Sequence, residues 1–276
     1  MKKFPLFIAL VIALSALAFA QKPAANLTKG SLGQAEIDRI VKTFTGNEGA
    51  FREALTNYVF NRSATVQTIG LGGLITGTYR RDSFMTFTSD GQRFERITFF
   101  PVPTLTEISV TPEDLEDLGG VNPFALEPRA IAQYNFTYLG KEKIDDLDLH
   151  VFEVTPKVIP DPKKTKLRLF TGRVWVDDRD LMIVKSKGKA VPEDKNNKYP
   201  TVETWRENID GKYWFPAFSS SDDELVFDSG QVVKMKLRVK YSDYKLGRTD
   251  VTIVGEEKAP AEETKPVPTP TPKKPN

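Results

Sequence analysis

The side chains best able to do chemistry lie in "RVWVDDRDLMIVKSKGKA", residues 173–190, where Asp177, Asp178 and Asp180 fall within four positions. Carboxylates so close could hold a cation or share a proton. A calcium loop needs spaced ligands, a Gly at the bend and a distal Glu. This stretch supplies neither that Gly nor that Glu. Its flanks instead have strand periodicity: Val174 and Val176 alternate with Arg173 and Trp175, and Leu181 to Val184 is a short apolar run. Aspartate tolerates turn dihedrals and bonds its own backbone, so the three acids read as the tip of a β-hairpin. No metal and no cofactor is expected.

His150, the only histidine, lies in the strand-like "LDLHVFEV". A Ser-His-Asp site would have to use it and would need matched partners. No Gly-x-Ser-x-Gly elbow, zinc pattern, Walker loop or dinucleotide fingerprint accompanies it. The acids in "TLTEISVTPEDLEDL" fit a helix start without chemistry. No catalytic residue is expected, and the chain is read as no enzyme.

The elements that would hold these residues are mostly strands. Helical spacing covers Gln34 to Tyr58, interrupted at Gly46-Asn47-Glu48-Gly49, which predicts two helices or one kinked one. A short helix is predicted from Thr111, as N-cap, through Pro112 to Leu118. Strand signals fill the rest: 58–69, 77–88, 92–100, 133–141, 149–155, 166–176, 181–190, 201–208, 212–219, 225–228 and 231–244. Short Asp- and Gly-containing connections make neighbours antiparallel. Val233, Met235, Leu237, Val239 and Tyr241 share one face of the last strand, and Lys234, Lys236, Arg238 and Lys240 the other. Tyr134, Phe136 and Tyr138 form a similar stripe. The few short helices cover such a sheet incompletely, which would leave an apolar hollow. "TIGLGGLITG" places Leu71, Leu74 and Ile75 among four glycines, either as a buried turn or as a loop at the mouth of that hollow.

Lys2 and Lys3 precede an apolar run ending Ala18-Phe19-Ala20, which predicts a secretory signal peptide over 1–20, cut after Ala20. A polar leader follows at 21–33, one domain at 34–255, and a Pro/Lys/Thr-rich disordered tail at 256–276. With no Cys, the fold has no disulfide, and a Cys-linked lipid anchor is excluded. The whole chain carries 39 basic and 37 acidic residues; without Lys2 and Lys3 the signs balance. That balance argues against nucleic acid as a partner.

"QYNFTYLGKEKIDDLDLHVFEVTPK", "GRVWVDDRDLMIVKSKGKA" and "TWRENIDGKYWFP" resemble periplasmic proteins of the LolA, LolB and RseB superfamily, in particular outer membrane lipoprotein-sorting-like proteins of acidobacterial type. The resemblance covers roughly residues 50–246. It implies a mainly β (α+β) fold, a strongly curved antiparallel half-barrel lidded by a few helices. It also implies a periplasmic, non-enzymatic carrier or sensor of acyl chains, lipids or lipoproteins. The partners implied are a lipid or lipid-modified protein and envelope proteins of the outer or inner membrane, with the chain a monomer. On that reading Tyr134, Phe136, Tyr138, Val233, Met235, Leu237, Val239, Leu71, Leu74 and Ile75 line the concavity. The alternative is an envelope structural or interaction protein with a packed core and no ligand. An apolar cavity under the sheet would discriminate the two.

Overall fold

Alternating apolar and polar residues dictate long strands with one face to pack, and the chain pairs them into one open, curved antiparallel sheet. The structure is a computed structural model, described over residues 27–88, 91–111, 114, 126–165 and 167–247. The expected signal peptide, residues 21–26 of the expected leader and the C-terminal tail lie outside the described residues. So does the helix from Pro112 to Leu118, apart from Asp114.

In chain order the elements are β1 (Leu27–Thr28), α1 (Gln34–Leu55), β2 (Tyr58–Ile69), β3 (Ile75–Phe87), β4 (Arg93–Phe99), β5 (Tyr134–Ile144), β6 (Leu147–Pro156), β7 (Leu169–Asp177), β8 (Ile183–Val191), β9 (Val202–Ile209), β10 (Tyr213–Val226) and β11 (Val232–Leu246). Across the sheet they run β1-β5-β6-β7-β8-β9-β10-β11-β2-β3-β4. The closing step is β11 against β2, which brings the last strand beside the first long one.

One expectation is narrowed, one is corrected, and one strand is added to those expected. First, α1 is one helix that runs through Gly46–Gly49. Tertiary partners outweigh the glycines there: Asn47 Nδ2 donates to the carbonyls of Asp180 and Leu181 at 3.0 Å each, and Glu48 pairs with Arg206. Second, residues 212–219 and 225–228 are one strand, β10. Its serines pair instead of breaking it, with Ser219 and Ser221 buried and the Thr204 and Ser219 hydroxyls 2.8 Å apart. A bulge between Pro216 and Phe218 absorbs the proline. Third, the leader contributes β1, which pairs with Lys141 and Glu142 of β5.

The core has two halves on the inner face, and α1 spans both. Its first turns bury Ile40, Val41 and Phe44 against β5 to β8, with Phe44 packed on Phe136 and Phe152 at about 5.7 and 5.6 Å between ring centres. Its last turns bury Phe51, Ala54 and Leu55 against β2, β10 and β11, where Phe51 meets Phe215. A smaller cluster of Leu149, Val151, Trp175 and Val184 packs on the outer face.

Candidate functional site

Between the two core halves the helix does not fill the concavity. A cavity of about 580 Å³ remains there, within the range of small-molecule sites. One wall comes from β7 and β8 through Phe170, Val174 and Ile183, the other from β2, β10 and β11 through Val66, Leu225 and Met235. β9 lies between them with Val202, Thr204 and Arg206. The body of the cavity is therefore mostly aliphatic and aromatic.

The cover is an irregular strap, residues 100–111, which turns Leu105, Ile108 and Val110 inward. Two clamps hold it. On the β3 side, the Thr104 amide donates to the Thr78 carbonyl and the Thr78 amide to Thr104 Oγ1, both at 2.9 Å. Gly77 makes that approach possible, because a Cβ there would lie 2.9 Å from Leu105 Cα and from the Thr104 carbonyl. On the β7 side, Asp114 accepts from Arg168 at 3.0 Å, and the Arg168 guanidinium stacks over Tyr199. Thr111 and Asp114 exchange hydrogen bonds at 3.0 and 3.1 Å. That is the reciprocal pattern of a helix start, where the sequence predicts one.

Phe170 owes its place to two glycines. Gly172 and Gly188 pair across β7 and β8, and a Cβ at either would strike the Phe170 ring. The ring occupies the space that side chains there would take, and it becomes cavity wall.

Three ion pairs stand near the mouth, and Glu107 beside them accepts from the Thr76 hydroxyl at 3.2 Å. Lys198 pairs with Asp228 at 2.8 Å, Lys189 with Glu193 at 3.0 Å, and Arg168 with Asp114. The hydrogen bond to Asp228 holds the Lys198 ammonium above the ordinary lysine range. At the cavity floor, Arg206 and Glu48 form a bidentate pair at 2.5 and 2.9 Å, with side chains only 7% and 2% exposed.

Of the ten residues that the sequence reading places in the lining, Met235 lines this cavity. Val233, Leu237 and Val239 share its face and pack in the core beside it. Tyr134, Phe136 and Tyr138 pack in the other core half, Phe136 against Phe44 of α1, and the Tyr134 hydroxyl accepts from the Phe170 amide at 3.0 Å. Leu71 and Leu74 stand exposed on the β2–β3 hairpin tip, Leu71 at 96%, where Gly72 and Gly73 turn with positive φ, and Ile75 opens β3 opposite Ile69, also exposed. The strap, the Glu48–Arg206 pair and the Gly172–Gly188 floor are missed by the sequence reading. Two glycines at the centres of adjacent strands were the available signal.

The three aspartates form a hairpin tip. Asp177 Oδ1 accepts from the Arg179 amide at 2.8 Å, and Asp180 Oδ1 from the Met182 amide at 2.9 Å. Asp180 Oδ2 takes Trp214 Nε1, and Asp178 takes Lys141. Among the described residues there is no group of three or more potential metal ligands, and no helix is long and apolar enough to cross a membrane. His150 Nδ1 faces the Tyr138 hydroxyl at 3.4 Å.

No protein-family model and no curated protein matches the chain. Among solved structures it is similar to a DUF1329 family protein from Desulfovibrio piger, at 16% identity and TM-score 0.37, covering 77% of this chain and 94% of that one. It is similar to a LolA superfamily protein from Nitrosomonas europaea, at 16% identity and TM-score 0.31, covering 76% and 93%. It is also similar to MucB in the Pseudomonas aeruginosa MucA/MucB complex, at 9% identity and TM-score 0.23, covering 74% and 99%. The group that the sequence motifs resemble is thus present among these neighbours, and at such TM-scores the likeness carries no argument about ligand or partner.

Proposed function

We propose that this chain is a non-enzymatic, periplasmic carrier or sensor that takes an acyl chain, as free lipid or as part of a lipid-modified protein, into the cavity beneath the strap. On this reading residues 34–255 form one ligand-binding domain, exported by the signal peptide over 1–20. The observation that carries the reading is the cavity itself: about 580 Å³ of mostly apolar space between two well-packed core halves. A packed-core envelope protein would have no use for such a space. The ion pairs at the mouth favour an apolar body with any of several head groups. Each methylene buried there contributes roughly 0.8 kcal/mol.

Native mass spectrometry of the protein purified from its own envelope should show an adduct of lipid mass, and the delipidated protein should take up a fluorescent fatty acid. Val202→Trp fills the cavity from β9 and should weaken uptake roughly ten-fold or more, as a few methylenes are excluded. Lys236→Ser, on the opposite face of the sheet, should change nothing. A parent protein that binds no amphiphile leaves the packed-core reading in its place.

A further inference from the structure

β4 ends the sheet, and among the described residues no strand pairs with its outer edge. It is seven residues long and holds no Lys or Pro. A free row of amides and carbonyls recruits another chain, and β4 limits that with a bulge and with the charges of Arg93, Glu95 and Arg96, so that only a strand of matching side chains is admitted. Here the edge is also apolar. Phe94 and Phe99 are each 48% exposed.

The side chains flanking the edge have a definite chemistry. A bulge at Thr98 shifts the register, so that Phe99 comes opposite Asp82 and joins Phe94 and Arg96 on the outer face. Arginines stack on the rings there: Arg80 over Phe99 at 5.0 Å and Arg96 over Phe84 at 5.2 Å. The other charges are committed. Arg93 donates to the Leu55, Thr56 and Tyr58 carbonyls past the end of α1. Glu95, on the inner face, is held by Arg62 and Arg81 at 2.7 and 2.6 Å, and Arg80 by Asp82 at 2.8 Å. Arg96 has no carboxylate partner among the described residues, and it is exposed.

We infer that the β4 edge is a docking site for an extended acidic segment of another protein, which adds as a further strand. Main-chain bonds to the open edge supply affinity, and alternate side chains supply specificity. On the outer face the added strand meets Arg96 and the arginine-backed rings, so acids fit there. On the inner face it meets Ile97 beside a neutralised Glu95, so aliphatic residues fit there. The favoured pattern is an acid and a β-branched residue in alternation. The site is independent of the cavity.

The test titrates the full chain into a fluorescein-labelled peptide of alternating Glu and Val, eight residues long, followed by anisotropy. Saturable binding is expected, about ten-fold or more weaker for the Lys/Val twin and lost for a peptide N-methylated at alternate residues. Arg96→Glu should weaken binding about ten-fold with an unchanged circular dichroism spectrum, while Lys236→Glu should not. Hydrogen exchange of the β4 amides should slow on binding. Equal binding of the Lys twin, indifference to Arg96→Glu, or no saturable binding overturns the inference. So does a dimer that Arg96→Glu dissolves, which would assign the edge to a second copy of this chain. Arg96-dependent binding to phosphatidylglycerol vesicles without peptide binding would assign it to a membrane and overturn it equally.

Discussion

Glu48 of α1 and Arg206 of β9 meet as a bidentate, almost fully buried ion pair at the floor of the cavity, with the Arg206 guanidinium 4.5 Å from the centre of the Phe51 ring. The pair sits where α1 passes from one core half to the other, and it ties the helix to the middle of the sheet. Desolvating two charges costs about as much as their attraction returns, so the pair adds little net stability over a well-packed apolar substitute. Removing one partner is different, since it leaves a charge buried alone. Glu48→Ala should therefore destabilise the protein by about 3–5 kcal/mol in urea unfolding. The double variant Glu48→Leu/Arg206→Met should recover most of that loss. If the single and double variants are equally unstable, packing around α1 is the larger effect, and the pair is not what fixes the helix over the sheet.

The strap should be as sensitive to one methyl group as to a charge. A Cβ on residue 77 would lie 2.9 Å from Leu105 Cα and the Thr104 carbonyl, both backbone atoms with no rotamer to change. Gly77→Ala must displace the strap or bend β3. Overpacking of this kind typically costs about 1–3 kcal/mol. The amides of Thr78 and Thr104, which bond across this contact, should exchange faster with deuterium. Release of a bound fluorescent fatty acid should quicken with them. Unchanged exchange at both amides would show that the strap is not clamped at Gly77.

The strands were legible because their signal is local. The alternation from Val233 to Tyr241 yields a face that is buried throughout, and the Asp-rich turn at 177–180 bonds its own amides as the residue type requires. Two local readings fell short where distant partners intervened. Gly46 and Gly49 weaken a helix by propensity, yet contacts from Asp180, Leu181 and Arg206 carry α1 through them. The serines of β10 read as a break, yet Thr204 and neighbouring strands pair them. The cavity was less legible still. An apolar stripe says which face is buried but not whether helix, strap or empty space lies against it. Tyr134 and Phe136 meet α1 and its surroundings, Leu237 meets core, and Met235, from the same stripe as Leu237, meets the cavity. The strap has no period at all, so nothing in residues 100–111 announced its role.

The last prediction concerns acid. His150 lies on β6, nine-tenths buried, with Tyr138 against its ring. Burial disfavours the charged imidazolium first, and nearby Lys141 adds to that, so its pKa falls below the ordinary value of 6.5. Asp178 and Glu36 pull the other way and Arg39 adds a smaller downward push, without reversing the direction. The sign follows from proton counting. Below 6.5 the unfolded chain protonates this histidine while the folded chain resists, so the unfolded state binds more protons and gains from acid. The stabilising contribution is whole above pH 6.5 and declines as pH falls from there toward the lowered folded value. Thermal melts between pH 7.5 and 5 should show a fall in Tm that His150→Gln reduces. Carboxylates such as Glu95 and Glu203, held below their ordinary range by Arg81 and Ser83 and by Lys185 respectively, lose their contribution only at lower pH, which separates the two effects. A variant whose Tm falls as steeply as the parent's between pH 6.5 and 5 would mean that His150 is not the group responsible.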